Sequence, residues 1–342
     1  KKEIHWNTSH LNALKMIGSR VTDIYLNIEA EKELIRMAYY DTLTGLPNSS
    51  LFTHYLSSSL QASLDSKYKM GIIFLDLDFF KTVNDFMGYA WGNELLKVVA
   101  KRLRTIIRKE DILCRSTGDK FLILITRAEG LEEIESIARR ILDSLSNPIE
   151  MNEREVSITV SMGISTTPED GEAADDLIKN AELAMFVSKK SGKNRYTVCT
   201  SEIKEESLLE NELSNDLYRA LEKQEFTVYY QPKINAQTEE IVGMEALIRW
   251  NHPEKGLIPP AVFIPLAEKI GLVGDIDQWV FKAACLQNKL WQDKGFAPIR
   301  MAVNFSLSQF FQENVIEKAA RCLQETALSP EYLEVEITES IA

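Results

Sequence analysis

The chain has 342 residues, of which 45% are hydrophobic and 26% are charged, a balance typical of a folded globular protein. Its 39 basic and 51 acidic residues give a net charge of −12, which argues against a binding surface for a nucleic acid polymer. No apolar run of about 18 residues occurs, so the sequence predicts no membrane segment. The four cysteines form no CxxC pair, which argues against a zinc site and fits a cytoplasmic location.

Residues 5–40 are predicted to form one long helix, and 1–38 are assigned to it as a separate segment. Hydrophobic residues recur along it at steps of three and four, which makes a seam of about three heptads. The seam consists of Leu14, Ile17, Val21, Ile24, Ile28 and Ile35. Two interpretations stay open: a signalling helix that joins two copies into a homodimer and carries the input of a missing sensor, or a helix that packs on its own domain.

Residues 39–200 are predicted to form one α/β domain, because helical and strand patterns alternate along them. A buried strand run at 71–78 ends in carboxylates, and two short strands flank a Thr-Gly-Asp turn, which predicts a hairpin. The hairpin strands are 111–116 and 120–126, the helices lie near 49–62, 91–107, 130–146 and 174–190, and further strands lie near 155–165 and 195–199.

Residues 201–215 are charged and lack aromatic residues, which predicts a helical linker. From 216 to 342, strand runs at 226–234, 241–249, 299–305 and 332–338 alternate with helical stretches. Repeated strand–helix units predict a barrel or an open parallel sheet. A closed barrel of this kind has eight strands and typically about 250 residues. We therefore expect the first half of a barrel, and a chain that is an excerpt of a longer polypeptide.

Two acids mark a first candidate site. Asp76 ends a buried strand run, where an uncompensated carboxylate is costly. Asp119 follows Gly118 in the hairpin turn, where a backbone without a side chain lets a ligand approach closely. Carboxylates of this kind suit Mg²⁺ that is bound together with phosphates. The alternative, two acids that cap surface turns, stays open from the residues alone.

The same region resembles the GGDEF family of diguanylate cyclases over about residues 36–200. The motifs that carry the resemblance are Asp-Thr-Leu-Thr-Gly-Leu-Pro-Asn (41–48), Asp-Leu-Asp-Phe-Phe-Lys-Thr-Val-Asn-Asp (76–85), Arg-Ser-Thr-Gly-Asp-Lys-Phe (115–121), Ser-Met-Gly-Ile-Ser (161–165) and Lys-Lys-Ser-Gly-Lys-Asn (189–194). It implies a nucleotidyl-cyclase-like fold with an antiparallel-rich sheet. It also implies Mg²⁺ ligation by Asp76 and Asp119, and GTP binding by Asn84, Asn93, Gly118, Lys189 and Lys193.

Four positions depart from the family pattern and predict a degenerate cyclase. Thr117 stands where the family has a glycine, and Lys120 replaces a glutamate that assists the chemistry. Asn93 replaces an aspartate that contacts guanine, and an amide offers one acceptor oxygen where a carboxylate offers two. Ser49 replaces an arginine. We expect weak or absent diguanylate cyclase activity, with GTP as a candidate regulatory ligand.

An RxxD pattern, Arg108-Lys-Glu-Asp111, lies just before the hairpin. The resemblance places it at the family's inhibitory site for cyclic-di-GMP. There Arg108 would bind a phosphate through two hydrogen bonds, Asp111 would meet a guanine edge, and Arg140 would be a partner. The alternative, an ordinary solvated run of charges, stays open.

A second candidate site follows from Gly243-Met-Glu-Ala-Leu-Ile-Arg-Trp250. On a strand, Glu245 and Arg249 point to one face, because side chains alternate. Asn304 and Glu336 end the next two predicted strands. Three oxygen donors at successive strand ends are the arrangement that a divalent metal needs. An internal ion pair is the alternative.

Residues 214–342 resemble the EAL family of cyclic-di-GMP phosphodiesterases. Besides the strand-end residues, Tyr230-Gln-Pro-Lys233, Pro259-Pro260 and Phe263-Ile-Pro-Leu-Ala-Glu268 carry the resemblance. It implies Mg²⁺ or Mn²⁺ held by Glu245, Asn304 and Glu336, and substrate contacts from Arg249 and Gln231. Glu339 would steady a catalytic loop, so that Glu245, Arg249 and Glu339 form the catalytic set. The family's paired aspartates, a lysine and a further glutamate would lie beyond residue 342.

The combined expectation is a phosphodiesterase that converts cyclic-di-GMP to pGpG in the intact protein and is regulated by the degenerate GGDEF domain. The chain as given is expected to be inactive. The alternatives are a receptor that senses cyclic-di-GMP or GTP without catalysis, and residual diguanylate cyclase activity.

Overall fold

A computed structural model of the chain describes residues 8–63, 68–151, 154–305 and 315–337. The chain divides into two units, Lys1–Glu205 and Glu206–Ala342, each with its own hydrophobic core. Across those described ranges, no helix combines the length and apolar character that crossing a membrane requires.

Helix α1 (Thr8–Tyr39) begins the first unit, as the heptad seam predicts. The seam residues that are described are exposed: Ile17, Val21, Ile24, Ile28 and Ile35 keep between 45% and 60% of their surface. The side chain of Leu14 lies outside the described residues. The described part of the seam therefore does not pack on the helix's own domain. Of the two interpretations of the sequence, packing on the same domain is thus not observed.

A five-stranded sheet forms the centre of the first unit, in the order β2-β3-β1-β6-β7. All neighbouring pairs are antiparallel except β6 and β7, which are parallel. The strands are β1 (Lys69–Leu77), β2 (Ile112–Arg115), β3 (Lys120–Ala128), β6 (Val160–Thr166) and β7 (Arg195–Val198). Strands β4 (Ile149–Met151) and β5 (Arg154–Val156) form a separate hairpin.

Helices cover both faces of this sheet, which explains why β1 is a nearly continuous apolar run. Helices α4 (Tyr89–Ile106) and α5 (Leu131–Ser146) supply the larger core on one face. Helices α2 (Ser49–Ser63) and α6 (Ala174–Lys190) pack on the other face. Because β1 is buried on both sides, the carboxylate of Asp76 near its end lies in a largely apolar environment.

Two features of the first unit differ from the sequence predictions. A short helix, α3 (Phe80–Met87), precedes α4 and was not predicted. It follows Phe79, whose φ of 59° is rare for a non-glycine residue and is not signalled by the apolar pattern. The strand predicted near 155–165 is two strands, because β5 pairs with β4 whereas β6 joins the central sheet.

The second unit carries a sheet in the order β10-β9-β11-β12, with β8 paired to β9. Its elements are α7 (Ser201–Ala220, shared with the end of the first unit), β8 (Phe226–Ile234), β9 (Ile241–His252), β10 (Gly256–Ile258), α8 (Pro260–Ile270), α9 (Val273–Asp293), β11 (Arg300–Phe305), α10 (Val315–Thr326), a 3₁₀ turn (Pro330–Tyr332) and β12 (Leu333–Ile337). Strands β9, β11 and β12 are parallel, as predicted.

Strand β8 runs antiparallel to β9, which the prediction of uniform strand–helix units did not include. The reason is the short connection at residues 235–240, since a parallel crossover needs a dozen or more residues. The short edge strand β10 was also not predicted. The described residues of the second unit thus form an open sheet with helices between its parallel strands.

Strand β9 places its residues alternately on two faces. Ala246, Ile248 and Trp250 are buried in the core with α8 and α9. The indole Nε1 of Trp250 also donates a hydrogen bond of 3.0 Å to Glu225 Oε2. Glu245 and Arg249 alternate with these residues, so they lie on the opposite face, which is only half-buried.

Candidate functional site

Asp76 lies at the end of β1 and is 3% exposed. Lys189 of α6 places Nζ 2.6 Å from Asp76 Oδ1, at an angle that leaves this buried oxygen without a well-directed hydrogen bond. Burial raises the pKa of Asp76 above its ordinary value of 3.8, and Asp119 adds to the rise, whereas Lys189 and Lys120 oppose it. The predicted metal ligand is thus in contact with a cation that the chain itself supplies.

Lys120 begins β3 directly opposite Asp76 in the antiparallel register. Its Nζ lies 2.9 Å from Glu182 Oε1 and 5.6 Å from the centre of the Phe74 ring. The hydrogen bond to Glu182 raises the pKa of Lys120, and the charges of Asp76 and Asp119 act in the same direction. The sequence interpretation missed Glu182. Its signal is the seven-residue spacing from Lys189, which puts both side chains on one side of α6.

These residues do not fit a divalent metal. Across the described ranges of both units, no three His, Cys, Asp or Glu side chains are grouped so that they could hold one, so the charges around Asp76 decide the question here. Asp76 and Asp119 lie beside two lysines, and Mg²⁺ at Oδ1 of Asp76 would have to displace Lys189. Metal binding by Asp76 and Asp119 stays a prediction from resemblance, and the local charges oppose it.

Asp78 shares the end of β1 but has a structural role. Its carboxylate accepts hydrogen bonds from Thr159 Oγ1 at 2.8 Å, Ser161 Oγ at 2.7 Å and the backbone N–H of Asn194 at 3.1 Å. These three donors compensate a carboxylate that is 2% exposed. Asp78 therefore joins β1 to β6 and to the loop after α6.

The other residues predicted to bind the nucleotide have different surroundings from one another. Asn84 on α3 has a buried Oδ1 without a hydrogen-bond partner, which faces Gly92. Asn93 is exposed on α4, and Gly118 adopts a φ of 60° in the hairpin turn. The Nζ of Lys193 lies 3.6 Å from the centre of the Phe79 ring, a cation–π contact. Their roles toward GTP stay predictions.

The RxxD residues form a local network. Asp111 is 2% exposed and accepts hydrogen bonds from the backbone N–H groups of Arg108 and Thr126. The side chain of Arg108 pairs with Glu133. Arg140 donates a hydrogen bond of 2.7 Å to the carbonyl oxygen of Ile106. Asp111 thus holds the loop between α4 and β2, and guanine recognition by this residue stays a prediction.

In the second unit, the predicted metal ligands share one face of the sheet. Asn304 Nδ2 donates a hydrogen bond of 2.8 Å to Glu245 Oε1. Asn304 and Glu336 are register partners on the parallel strands β11 and β12. Glu336 forms an ion pair with Lys233 of β8, a contact that the sequence interpretation did not include although Lys233 belongs to a quoted motif.

The predicted substrate residues lie on the same face. Gln231 is the register partner of Glu245 across the β8–β9 hairpin. Arg249 lies two steps of the pleat from Glu245, and its guanidinium carbon is 5.5 Å from the centre of the Tyr229 ring. The predicted loop residue Glu339 lies outside the described residues.

The donor set of the second unit fits a hard divalent cation. Two carboxylates, Glu245 and Glu336, and the amide oxygen of Asn304 are the ligand types that Mg²⁺ and Mn²⁺ prefer. Among the described residues, the ammonium of Lys233 contacts this set through Glu336, whose side chain is 35% exposed, whereas the side chain of Asp76 is 5% exposed. The chemistry of the site therefore differs from that at Asp76.

Two family descriptions match the chain in tandem. Residues 38–195 match the family described as "Diguanylate cyclase, GGDEF domain". Residues 214–342 match the EAL domain family.

Three curated relatives are similar to the chain over more than nine-tenths of its length. The bifunctional diguanylate cyclase/cyclic di-GMP phosphodiesterase MucR of Pseudomonas aeruginosa is 38% identical over 92% of this chain and 46% of its own length. The signaling protein YkoW of Bacillus subtilis is 35% identical over 97% and 41%, and the cyclic di-GMP phosphodiesterase NbdA of P. aeruginosa is 33% identical over 94% and 41%. The chain spans less than half the length of these relatives. With both domain matches in sequence order, the chain belongs to the tandem GGDEF–EAL proteins.

Proposed function

We propose that the second unit is part of a phosphodiesterase that opens one phosphodiester bond of cyclic-di-GMP and releases linear pGpG. The observation that carries the proposal is the placement of Glu245, Asn304 and Glu336 on one face of three parallel strands. Two of the relatives are named as cyclic-di-GMP phosphodiesterases, alone or in bifunctional form, which supports the same substrate.

The residues of the site have separate tasks in this proposal. Glu245, Asn304 and Glu336 would hold Mg²⁺ or Mn²⁺, which supplies a water of lowered pKa and charge stabilisation at the phosphate. Arg249 presents a planar guanidinium that can bind a phosphate through two hydrogen bonds. Gln231 lies opposite Glu245, where its amide can orient the substrate. Glu339 is assigned to the positioning of a catalytic loop.

We further propose that the first unit regulates this activity and lacks significant diguanylate cyclase activity. Lys120 supports this proposal, because its ammonium is held by Glu182 beside Asp76 and cannot serve as a carboxylate general base. GTP is the proposed regulatory ligand. The described seam residues of α1 are exposed, which supports a homodimer formed through this helix. Four free cysteines support a reducing, cytoplasmic location.

The deciding experiment uses a protein extended beyond residue 342, because the chain as given is proposed to be inactive. Cyclic-di-GMP and Mn²⁺ are added with and without GTP, and pGpG is quantified by chromatography. Product whose rate changes with GTP supports a regulated phosphodiesterase. Tight cyclic-di-GMP binding without product would replace the proposal with a non-catalytic receptor. Formation of cyclic-di-GMP from GTP would overturn the assignment of the first unit.

A further inference from the structure

Two acids around the end of β1 are paired with cations of the chain, Asp76 with Lys189 and Glu182 with Lys120. Asp76, Asp119 and Glu182 contribute three negative charges and Lys120 and Lys189 contribute two positive charges, while the carboxylate of Asp78 on the same strand is compensated by three hydrogen bonds. Both ammonium groups are in direct contact with a carboxylate, at 2.9 Å and 2.6 Å. Ammonium groups in contact with the carboxylates weaken the attraction of this site for a divalent cation, compared with a pair of free carboxylates.

Lys120 makes one further contact, and Lys189 lies at the end of a helix that packs on the sheet. Lys120 is restrained on two sides, by Glu182 and by the face of the Phe74 ring. Lys189 belongs to the last turn of α6, and it retains only 32% of its side-chain exposure. Displacing either ammonium would leave a carboxylate unpaired, and for Asp76 that carboxylate is almost fully buried.

We propose that the first unit holds no divalent metal at Asp76 and Asp119, because Lys189 and Lys120 supply the counter-charge. The inference concerns a different site from the proposed phosphodiesterase. The two can therefore fail independently. Within the first unit, Lys120 is the residue that decides the metal requirement, since it stands beside Asp119 and opposite Asp76 on the neighbouring strand.

Direct metal binding tests the inference without any measurement of activity. The background for the test is the full chain with Glu245→Gln and Glu336→Gln, which lacks the two proposed carboxylate ligands of the second unit. Bound Mn²⁺ is then counted by electron paramagnetic resonance as the metal is titrated. We expect no stoichiometric Mn²⁺ site in this background. One bound Mn²⁺ that disappears on Asp76→Asn would overturn the proposal.

Replacing Lys120 by an acidic residue should create a metal site at Asp76 and Asp119. Adding Lys120→Glu to the same background is expected to tighten Mn²⁺ binding more than about tenfold, because the local charge changes by two units. Lys120→Gln should give a smaller gain, and it replaces the reversal variant if that variant does not fold. The matched control is Lys101→Glu, an exposed lysine on α4, which should change nothing. Equal binding by the Lys120 variants and their background would show that Lys120 does not exclude the metal.

Discussion

Asn304 donates its amide N–H to Glu245 across the neighbouring strands β11 and β9, at 2.8 Å. The hydrogen bond fixes the orientation of the amide, so that its oxygen is left as the free acceptor. Two residues that are 59 positions apart in sequence thereby become one preorganised pair of oxygen donors. The parallel pairing of β11 with β9 puts Ala302 level with Glu245, and the parallel pairing of β11 with β12 puts Asn304 level with Glu336.

Removal of the Asn304 amide is expected to slow the proposed hydrolysis of cyclic-di-GMP by the second unit. In the extended protein, Asn304→Ala removes one proposed metal ligand and the partner of Glu245. We expect pGpG formation to fall about 10- to 100-fold, the range typical of residues that support a metal site. The control is Asn251→Ala on β9, whose amide donates to Thr227 Oγ1 at 2.9 Å in an exposed position. Equal rates for both variants would remove Asn304 from the site.

Lys233 competes with a metal ion for Glu336 in this arrangement. The hydrogen bond to Glu336, together with the charge of that carboxylate, raises the pKa of Lys233, so the ammonium stays protonated at neutral pH. Lys233→Gln is expected to tighten Mn²⁺ binding in the extended protein by about threefold to tenfold, as the loss of a partly exposed pair allows. Lys255→Gln, which breaks the exposed pair with Glu212, is the control. Weaker Mn²⁺ binding by Lys233→Gln would identify Lys233 as a supporting residue instead.

Asp41 should make a pH-dependent contribution to stability. Burial raises the pKa of Asp41, but hydrogen bonds from Thr44 and the adjacent Arg115 guanidinium outweigh burial, so the pKa lies below its ordinary value of 3.8. Arg115 Nη1 contacts both carboxylate oxygens, at 2.9 Å and 3.0 Å. A depressed folded-state pKa means that the stabilisation is present above pH 3.8 and is lost as the pH falls through the folded-state pKa.

Urea unfolding at several pH values checks this relationship. Asp41→Asn is expected to lower the free energy of unfolding by roughly 1–3 kcal/mol at pH 7, because Arg115 loses its charged partner. The difference from the parent chain should shrink as the pH falls below 3.8. The exposed Asp23→Asn on α1 is the control, with no expected change. A difference that stays constant with pH would mean that the Asp41 carboxylate charge is not its source.

Gly163 allows β6 and α6 to approach closely. A Cβ at this position would lie 2.0 Å from the carbonyl oxygen of Ala181 and 2.1 Å from the backbone nitrogen of Met185. Because these are backbone atoms of a packed helix, Gly163→Ala should lower the free energy of unfolding by about 3 kcal/mol or more. Gly18→Ala is the control, since its Cβ meets no atom within 4 Å and should stabilise α1 slightly. Similar unfolding curves for both variants would contradict this packing.

Local patterns in the sequence were enough to predict the regular elements. The strand β8, predicted at 226–234, and the helix α6, predicted near 174–190, lie where the apolar periodicity placed them. The antiparallel direction of β8 was not predicted, because strand direction depends on how the chain returns to the sheet and not on the pattern within the strand. Helix α3 was missed because it begins after a residue with positive φ.

The sequence by itself determined which residue types stand at the ends of the strands, and therefore the two domain families and the candidate ligands Asp76, Glu245, Asn304 and Glu336. Only the tertiary structure decided which charges meet. Lys120 reaches Glu182, 62 positions away, and Lys233 reaches Glu336, 103 positions away. The physical reason is that an ion pair between distant segments depends on strand register and helix packing, which bring side chains together across separations that no local spacing records.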